Sequence, residues 1–390
     1  MVEAEEMSQR SMDKMAEMTI QLYERLAPKG KPTAREWTVL ASFCLLQKIE
    51  ENWTPVKILS MGTGNRCLSE SQLNKRGDII HDSHAEIIAR RSLIRLLYDE
   101  LRKEGSKAIF EKKDDKYNLK DIYRLGMYIS HTPCGDASIF EGPSVEVTLE
   151  ETEEPEKKKR RVSTDDSTQE TTQKRMRGDE PQNWRETGLV RRKPGRGEFT
   201  TSMSCSDKIA SWSVLGVQGA ILSTVMSPLY LSYLVVGDYY HREALDRAIN
   251  LRVRVEGLPE GYSRRHIRLG HPVVVFQKGK SAATTDAVSS GYAISYMDGG
   301  ISEVTVAQSG RKMGLTKKNL DSPKHAPSLS KMKLGLMARQ AFGCKGETYI
   351  EMKRGGVDYR RAKEVLLSSS EFREWNRLPS EHSDFQIKPI

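Results

Sequence analysis

Apolar residues recur at helical spacing over 12–26, where Met15, Met18, Leu22 and Leu26 share a stripe. They do so again over 36–49, through Trp37, Leu40, Ala41, Cys44 and Leu45. The pattern predicts two amphipathic helices, broken apart by Pro28, Gly30 and Pro32. A strand over 56–61 then runs into Gly62-Thr63-Gly64-Asn65-Arg66, which lacks the Lys-Ser/Thr ending of a phosphate loop and reads as a plain turn. Asp82 or Ser83 caps a helix over 84–101 with Ile87, Ile88, Ile94, Leu97 and Leu101 as its apolar stripe. A strand over 122–130 ends at Pro133-Cys134, which should open a further helix. Helix over 213–222, strand over 228–236, helix over 239–251 and strand over 273–276 follow. Segments 293–297 and 301–306 flank Asp298-Gly299-Gly300 as a hairpin. Two more helices complete the chain, the final one carrying Tyr349, Lys353, Tyr359 and Lys363. Helices interleaved with strands, and no internal repeat, read as a mixed α/β fold in a single domain over 1–390.

Residues 142–182 break this pattern. The stretch 150–156 is acidic, Lys157-Lys158-Lys159-Arg160-Arg161-Val162 is a basic run, and 163–172 is polar. A segment so poor in apolar residues cannot bury a core and is expected to be a disordered insertion. The run at 157–162 matches a nuclear-import signal, with Lys174-Arg175-Met176-Arg177 as a second half; the alternative is a solvated loop that adds nonspecific RNA affinity. A net charge of +9 and pI near 9.1 favour a polyanionic partner. Five cysteines, an odd number, argue against a disulfide scaffold and for a reducing compartment. No run approaches the ~18 apolar residues of a membrane span, and the acidic N-terminus is neither a signal nor a transit peptide. The expectation is a soluble protein of the nucleus or cytoplasm, with no obligate protein partner evident.

The chemistry concentrates in three short motifs. His84-Ala85-Glu86, Pro133-Cys134-Gly135 and Ser204-Cys205-Ser206 together supply one imidazole, two thiols and a carboxylate. Three such ligands leave a fourth tetrahedral position for water, whose pKa a zinc ion lowers from about 16 towards about 7. Glu86 is too close in sequence to His84 for a comfortable fourth ligand but suits a proton shuttle. H-x-E followed by P-C is the pattern of zinc nucleobase deaminases. Position 137 is Ala, so Cys134 has no C-x-x-C partner and the second thiol must come from afar. Cys205, set among helix N-cap residues that favour a thiolate, is the candidate. The alternatives are a closed structural zinc or no metal.

Asp82-Ser83-His84-Ala85-Glu86-Ile87-Ile88-Ala89-Arg90-Arg91-Ser92, Pro133-Cys134-Gly135-Asp136-Ala137 and Ser204-Cys205-Ser206-Asp207-Lys208-Ile209-Ala210 closely resemble the RNA-editing adenosine deaminase family. The resemblance covers about 15–385. Lys29-Gly30-Lys31-Pro32, Glu36-Trp37-Thr38-Val39-Leu40-Ala41 and Lys193-Pro194-Gly195-Arg196-Gly197 look like its tRNA-acting branch, and the catalytic domain fills the chain, with no room for double-stranded-RNA-binding domains. The resemblance implies a zinc-deaminase fold, a central mixed sheet flanked by helices with a C-terminal helical extension around a polyphosphate site. It implies His84, Cys134 and Cys205 on zinc, Glu86 as shuttle, and adenosine 37 of tRNA-Ala as the substrate converted to inosine. It also implies a buried inositol hexakisphosphate at Arg90, Arg91, Lys208, Trp212, Gln218, Lys331, Tyr349, Lys353, Tyr359, Lys363 and Trp375. His81, Ser211 and Leu378 depart from the family pattern there. Asn65, Arg66, Arg185, Lys193 and Arg196 are the candidates for gripping the flipped nucleotide. The alternatives are editing of structured mRNA, or a noncatalytic RNA- or inositol-phosphate-binding relic.

Overall fold

A computed structural model describes residues 7–102, 109–140, 186–194 and 198–388. The expectations for the 142–182 insertion, its basic run, Arg185 and Arg196 lie outside the described residues. The central sheet has eight strands. In chain order they are β1 (Leu40–Ile49), β2 (Asn52–Thr63), β3 (Tyr123–His131), β4 (Leu231–Asp238), β5 (Arg268–Gly270), β6 (Tyr292–Met297), β7 (Ile301–Val306) and β8 (Arg311–Lys312). Their spatial order is β5-β4-β3-β1-β2-β6-β7-β8, with β3, β4 and β5 parallel to one another and the other pairings antiparallel. The sheet is mixed and flanked by helices on both faces. Among the described residues the α-helices are α1 (Gln9–Arg25), α2 (Ala85–Arg102), α3 (Cys205–Leu215), α4 (Gly219–Leu222), α5 (Arg242–Asp246), α6 (Lys331–Phe342), α7 (Tyr349–Arg354) and α8 (Val357–Ser368).

The segment 36–49 is not the helix its spacing predicts. It forms β1, preceded by the two-residue strand Glu36–Trp37. Leu40, Cys44 and Leu46 pack with Met15, Ala16 and Tyr23 of α1, whereas Ala41, Phe43 and Leu45 pack with the α2 side. A central strand buried on both faces is apolar almost throughout, so its sequence carries no two-residue alternation to set it apart from a helix.

Three further expectations are corrected. No strand forms over 273–276: Val273 is 74% exposed, and its N–H donates to Asp13 Oδ1 at 2.7 Å. Pairing with β4 happens earlier, at β5, and Pro272 just beyond has no N–H to continue the ladder. After Cys134 the described residues up to 140 make one 3-10 turn, Asp136–Ser138, and no α-helix. The C-terminal region holds three helices, because Gly355-Gly356 separates α7, with Tyr349 and Lys353, from α8, with Tyr359 and Lys363. Elsewhere the pattern holds with shifted ends. The 213–222 helix is interrupted at Gly216 (φ 71°), and 239–251 becomes α5 plus a π-helical turn, Arg247–Leu251. Among the described residues no helix is long and apolar enough to cross a membrane.

The end of β2 meets α2 at very close range. A Cβ on Gly62 would sit 2.5 Å from Ala89 N and 2.6 Å from Ala85 O. These are helix backbone atoms and cannot rotate aside. Gly62→Ala should therefore destabilise the fold by about 3 kcal/mol, read as a lower urea midpoint. An unchanged midpoint would show that α2 is free to slide.

Candidate metal and catalytic site

His84 stands at the start of α2, which β2 reaches through a long connection that includes the 3-10 turn Glu70–Gln72. The His84 N–H donates to Asp82 Oδ1 at 3.1 Å, and Nδ1 of its ring is 2.8 Å from the same oxygen. One carboxylate thus serves the helix entry and orients the imidazole, so that Nε2 is the ring nitrogen turned away from Asp82. Glu86 is 3% exposed, and its Oε2 has no hydrogen-bond partner among the described residues. Burial raises its pKa, against the pull of His84 and Lys193. Cys134 follows β3 and Pro133. At Gly135 (φ 103°) a Cβ would lie 2.1 Å from Ser204 Oγ, so only glycine lets this loop approach the start of α3.

Ser204 caps α3 by accepting from the Asp207 N–H, which places Cys205 in the first turn. The Cys205 N–H donates to Cys134 Sγ at 3.3 Å, and Ser206 N–H donates to the Cys134 carbonyl at 3.0 Å. The hydrogen bond with Cys205 lowers the Cys134 pKa well below its usual value despite burial, helped by the Lys193 charge. Burial and that same hydrogen bond push Cys205 well up. Among the described residues no group of three His, Cys, Asp or Glu side chains is already arranged to hold a metal. Instead Cys134 is hydrogen-bonded to both Cys205 and His84. By chemistry the set fits zinc: an oriented imidazole, two adjacent sulfurs near a helix N-terminus, and a buried carboxylate oxygen with nothing to bond.

Lys193 is the residue that sequence reasoning placed wrongly. Expected at an RNA-facing surface, it is 1% exposed, with Nζ 3.0 and 2.9 Å from the two Asp82 oxygens and 3.1 Å from Cys205 Sγ. The short strand Arg192–Pro194 pairs with Phe199–Met203 and alternates exposed, buried, exposed, but its sequence, Arg-Lys-Pro, carries no apolar alternation that would mark Lys193 as inward. Asp82, missed as more than a cap, also accepts from Lys208 Nζ at 2.6 Å and Ser202 Oγ at 2.9 Å. Burial alone would raise its pKa, but Lys193, Lys208 and His84 outweigh that and hold it well below the usual carboxylate range. Asn65 and Arg66 secure the neighbouring segment: Asn65 Oδ1 accepts from Ser289 Oγ at 2.6 Å, and Arg66 Nε donates to the Ser290 carbonyl at 2.8 Å.

The family model of the adenosine-deaminase (editase) domain matches residues 60–379. The chain belongs to this family. The family is zinc-dependent and deaminates adenosine in RNA. The chain is 30% identical to tRNA-specific adenosine deaminase 1 of Drosophila melanogaster, over 96% of its own length and 97% of that protein. It is 29% identical to the Homo sapiens protein of the same name, over 96% and 99%. Against double-stranded RNA-specific adenosine deaminase of Mus musculus it is 28% identical over 97% of its length, but over only 33% of that protein.

The editase domain holds a cavity of about 280 Å³ that Asp82, the partner of His84, helps to line. Arg90, Arg91, Lys208, Trp212, Lys331, Tyr359, Lys363 and Trp375 line it, and so do the three departures His81, Ser211 and Leu378. Gln218 is fully buried nearby, its amide donating to the Leu215 carbonyl (2.8 Å) and accepting from Leu229 N–H (3.0 Å), a purely structural use. Tyr349 and Lys353 stand just outside, with Lys353 Nζ 5.8 Å from the Tyr349 ring and Tyr349 stacked on Phe385. Five lining side chains are Arg or Lys and one, Asp82, is a carboxylate. Arg90 Nε has no partner among the described residues, and its guanidinium lies 5.5 Å from the Trp212 ring. Burial, then Arg91 and Lys353, push Lys331 down to about 7; burial, then Lys353, Arg377 and Arg90, push Lys363 down to about 8. Such mutual repulsion calls for an anion.

Proposed function

We propose that this editase domain deaminates adenosine to inosine in tRNA, at adenosine 37 of tRNA-Ala, with His84, Cys134 and Cys205 as zinc ligands. The observation that carries the choice of tRNA is the end-to-end match to the tRNA-specific relatives, against a one-third match to the double-stranded-RNA enzyme. Zinc, when bound, supplies a Lewis acid that makes water a nucleophile at neutral pH. Glu86 accepts a proton from the attacking water and delivers it to N1 of the adenine, then takes the remaining proton of the new C6 hydroxyl and passes it to the amino group, which leaves C6 as ammonia. Its raised pKa suits a group that must both take and return a proton. Asp82 keeps the His84 ring in one orientation, and the ammonium of Lys193 offsets negative charge on Cys205. C6 is shielded in a stack, so the nucleotide must turn out, which costs less for an unpaired loop base than for a paired one.

The cation-lined cavity supports a bound inositol hexakisphosphate, held by Arg90, Arg91, Lys208, Lys331 and Lys363, with Trp212, Tyr359 and Trp375 as walls. Lys208 both lines the cavity and bonds Asp82, which ties that anion's charge to the His84 side. The test is incubation of the zinc-loaded protein with a tRNA-Ala transcript and with a long RNA duplex, inosine being read as guanosine after reverse transcription. Conversion at the single position beside the anticodon supports the proposal. Conversion only in the duplex would favour mRNA editing, and none in either would favour a noncatalytic relic.

A further inference from the structure

Three aromatic rings stand beside the loop that carries Cys134, and the chemistry above uses none of them. Trp37 lies on the short strand before β1, His131 ends β3 just ahead of the Cys134 loop, and Tyr239 follows β4. The His131 ring contacts both of the others, with centroids 6.4 Å from Trp37 and 4.9 Å from Tyr239. None of the three is fully buried, and Tyr239 keeps 36% of its surface exposed. The Lys280 ammonium lies 6.0 Å from the Trp37 ring, and the Lys278 carbonyl accepts from Thr38 N–H at 3.0 Å, which fixes this basic loop against the same edge.

Core packing accounts for one side of Trp37, which lies against the main core, but not for Tyr239 or His131. Tyr239 has φ +57°, a left-handed conformation unfavourable for a bulky side chain, and the Thr132 hydroxyl donating to its carbonyl holds it there. His131 Nδ1 is buried with no hydrogen-bond partner among the described residues. An exposed tyrosine kept in a costly backbone conformation, next to an unsatisfied imidazole and near the Lys280 ammonium over Trp37, has the features of a surface built to receive something flat and anionic. We propose that Trp37, His131 and Tyr239, with Lys280, form a stacking platform for an unpaired nucleotide flanking the target adenosine. Every base offers a π-face to such rings, and Lys280 offsets the adjoining phosphate. The platform rests on the tRNA reading, because an anticodon loop offers unpaired neighbours and a duplex does not.

The test uses the zinc-loaded full chain and a synthetic stem-loop RNA with 2-aminopurine beside the target adenosine. Binding should quench the fluorophore. Trp37→Leu and Tyr239→Leu should abolish the quench and weaken binding roughly tenfold, raising KM more than they lower kcat. Tyr239→Phe, which keeps the ring, should restore both. Equal quench in all variants at saturating protein, or weaker binding with the quench per bound RNA intact, would overturn the platform. Failure of the unmodified protein to deaminate tRNA would instead overturn the substrate reading, while the fluorescence still decides the platform.

Discussion

Glu86→Gln should lower kcat on tRNA by about a thousandfold, within the range that general acid–base groups contribute, while zinc content and RNA affinity stay unchanged. Gln matches Glu in shape but can neither take nor return a proton. The fold should not suffer, because Glu86 Oε2 has no partner to lose and burial already disfavours its charge. Neutralising it removes an ion from an apolar setting, so the melting temperature should hold or rise. Single-turnover kinetics, metal analysis and a thermal melt together check this. Zinc lost along with activity would make Glu86 a ligand instead of a proton carrier.

Protein made in a host without inositol hexakisphosphate should be largely insoluble, and any soluble fraction should show an inverted pH response. Burial and neighbouring cations push Lys331 down to about 7 and Lys363 to about 8 in the folded chain. In the unfolded chain both return to an ordinary value near 10.5. Between about pH 7 and 10.5 the unfolded state therefore binds more protons, and the stability of anion-free protein rises with pH. A bound polyphosphate keeps both lysines charged and removes that rise. Melting temperatures across this window, with and without added inositol hexakisphosphate, test the point directly. Soluble protein free of phosphate by mass spectrometry, with no rise, would show that the cavity needs no anion. His81, Ser211 and Leu378 would be the first places to look for the reason.

The residues that meet at the site were legible because their chemistry is carried by type: an imidazole, a carboxylate two positions on, and a proline-preceded thiol. The fold was legible where one face is wet. The 293–306 hairpin is one case; α2, largely buried, was legible instead by its cap and its length. Legibility failed where both faces are dry, as in β1, since a run such as Leu40–Leu46 satisfies either period. It failed also where charge is interior. Lys193 sits among prolines, glycines and arginines in the sequence, so composition placed it at a surface, whereas its partners, Asp82 and Cys205, come from remote segments. Gln218 and Tyr349 show the converse, since positions named by resemblance to a ligand set proved to serve the backbone or to stand one layer back.

Cys134 and Cys205 touch across 71 residues of chain. In a C-x-x-C pair the connecting loop closes almost for free; a loop of this length adds about 3 kcal/mol of closure entropy. The contact forms inside the crossover between two parallel strands, β3 and β4, a pairing that is slow because its reward comes only after the long loop has closed. Whatever ion the two sulfurs share cannot nucleate folding as it does in short-loop zinc modules. Its uptake during refolding should follow the slowest phase of sheet assembly, which makes metal incorporation a late clock for completion of the native topology.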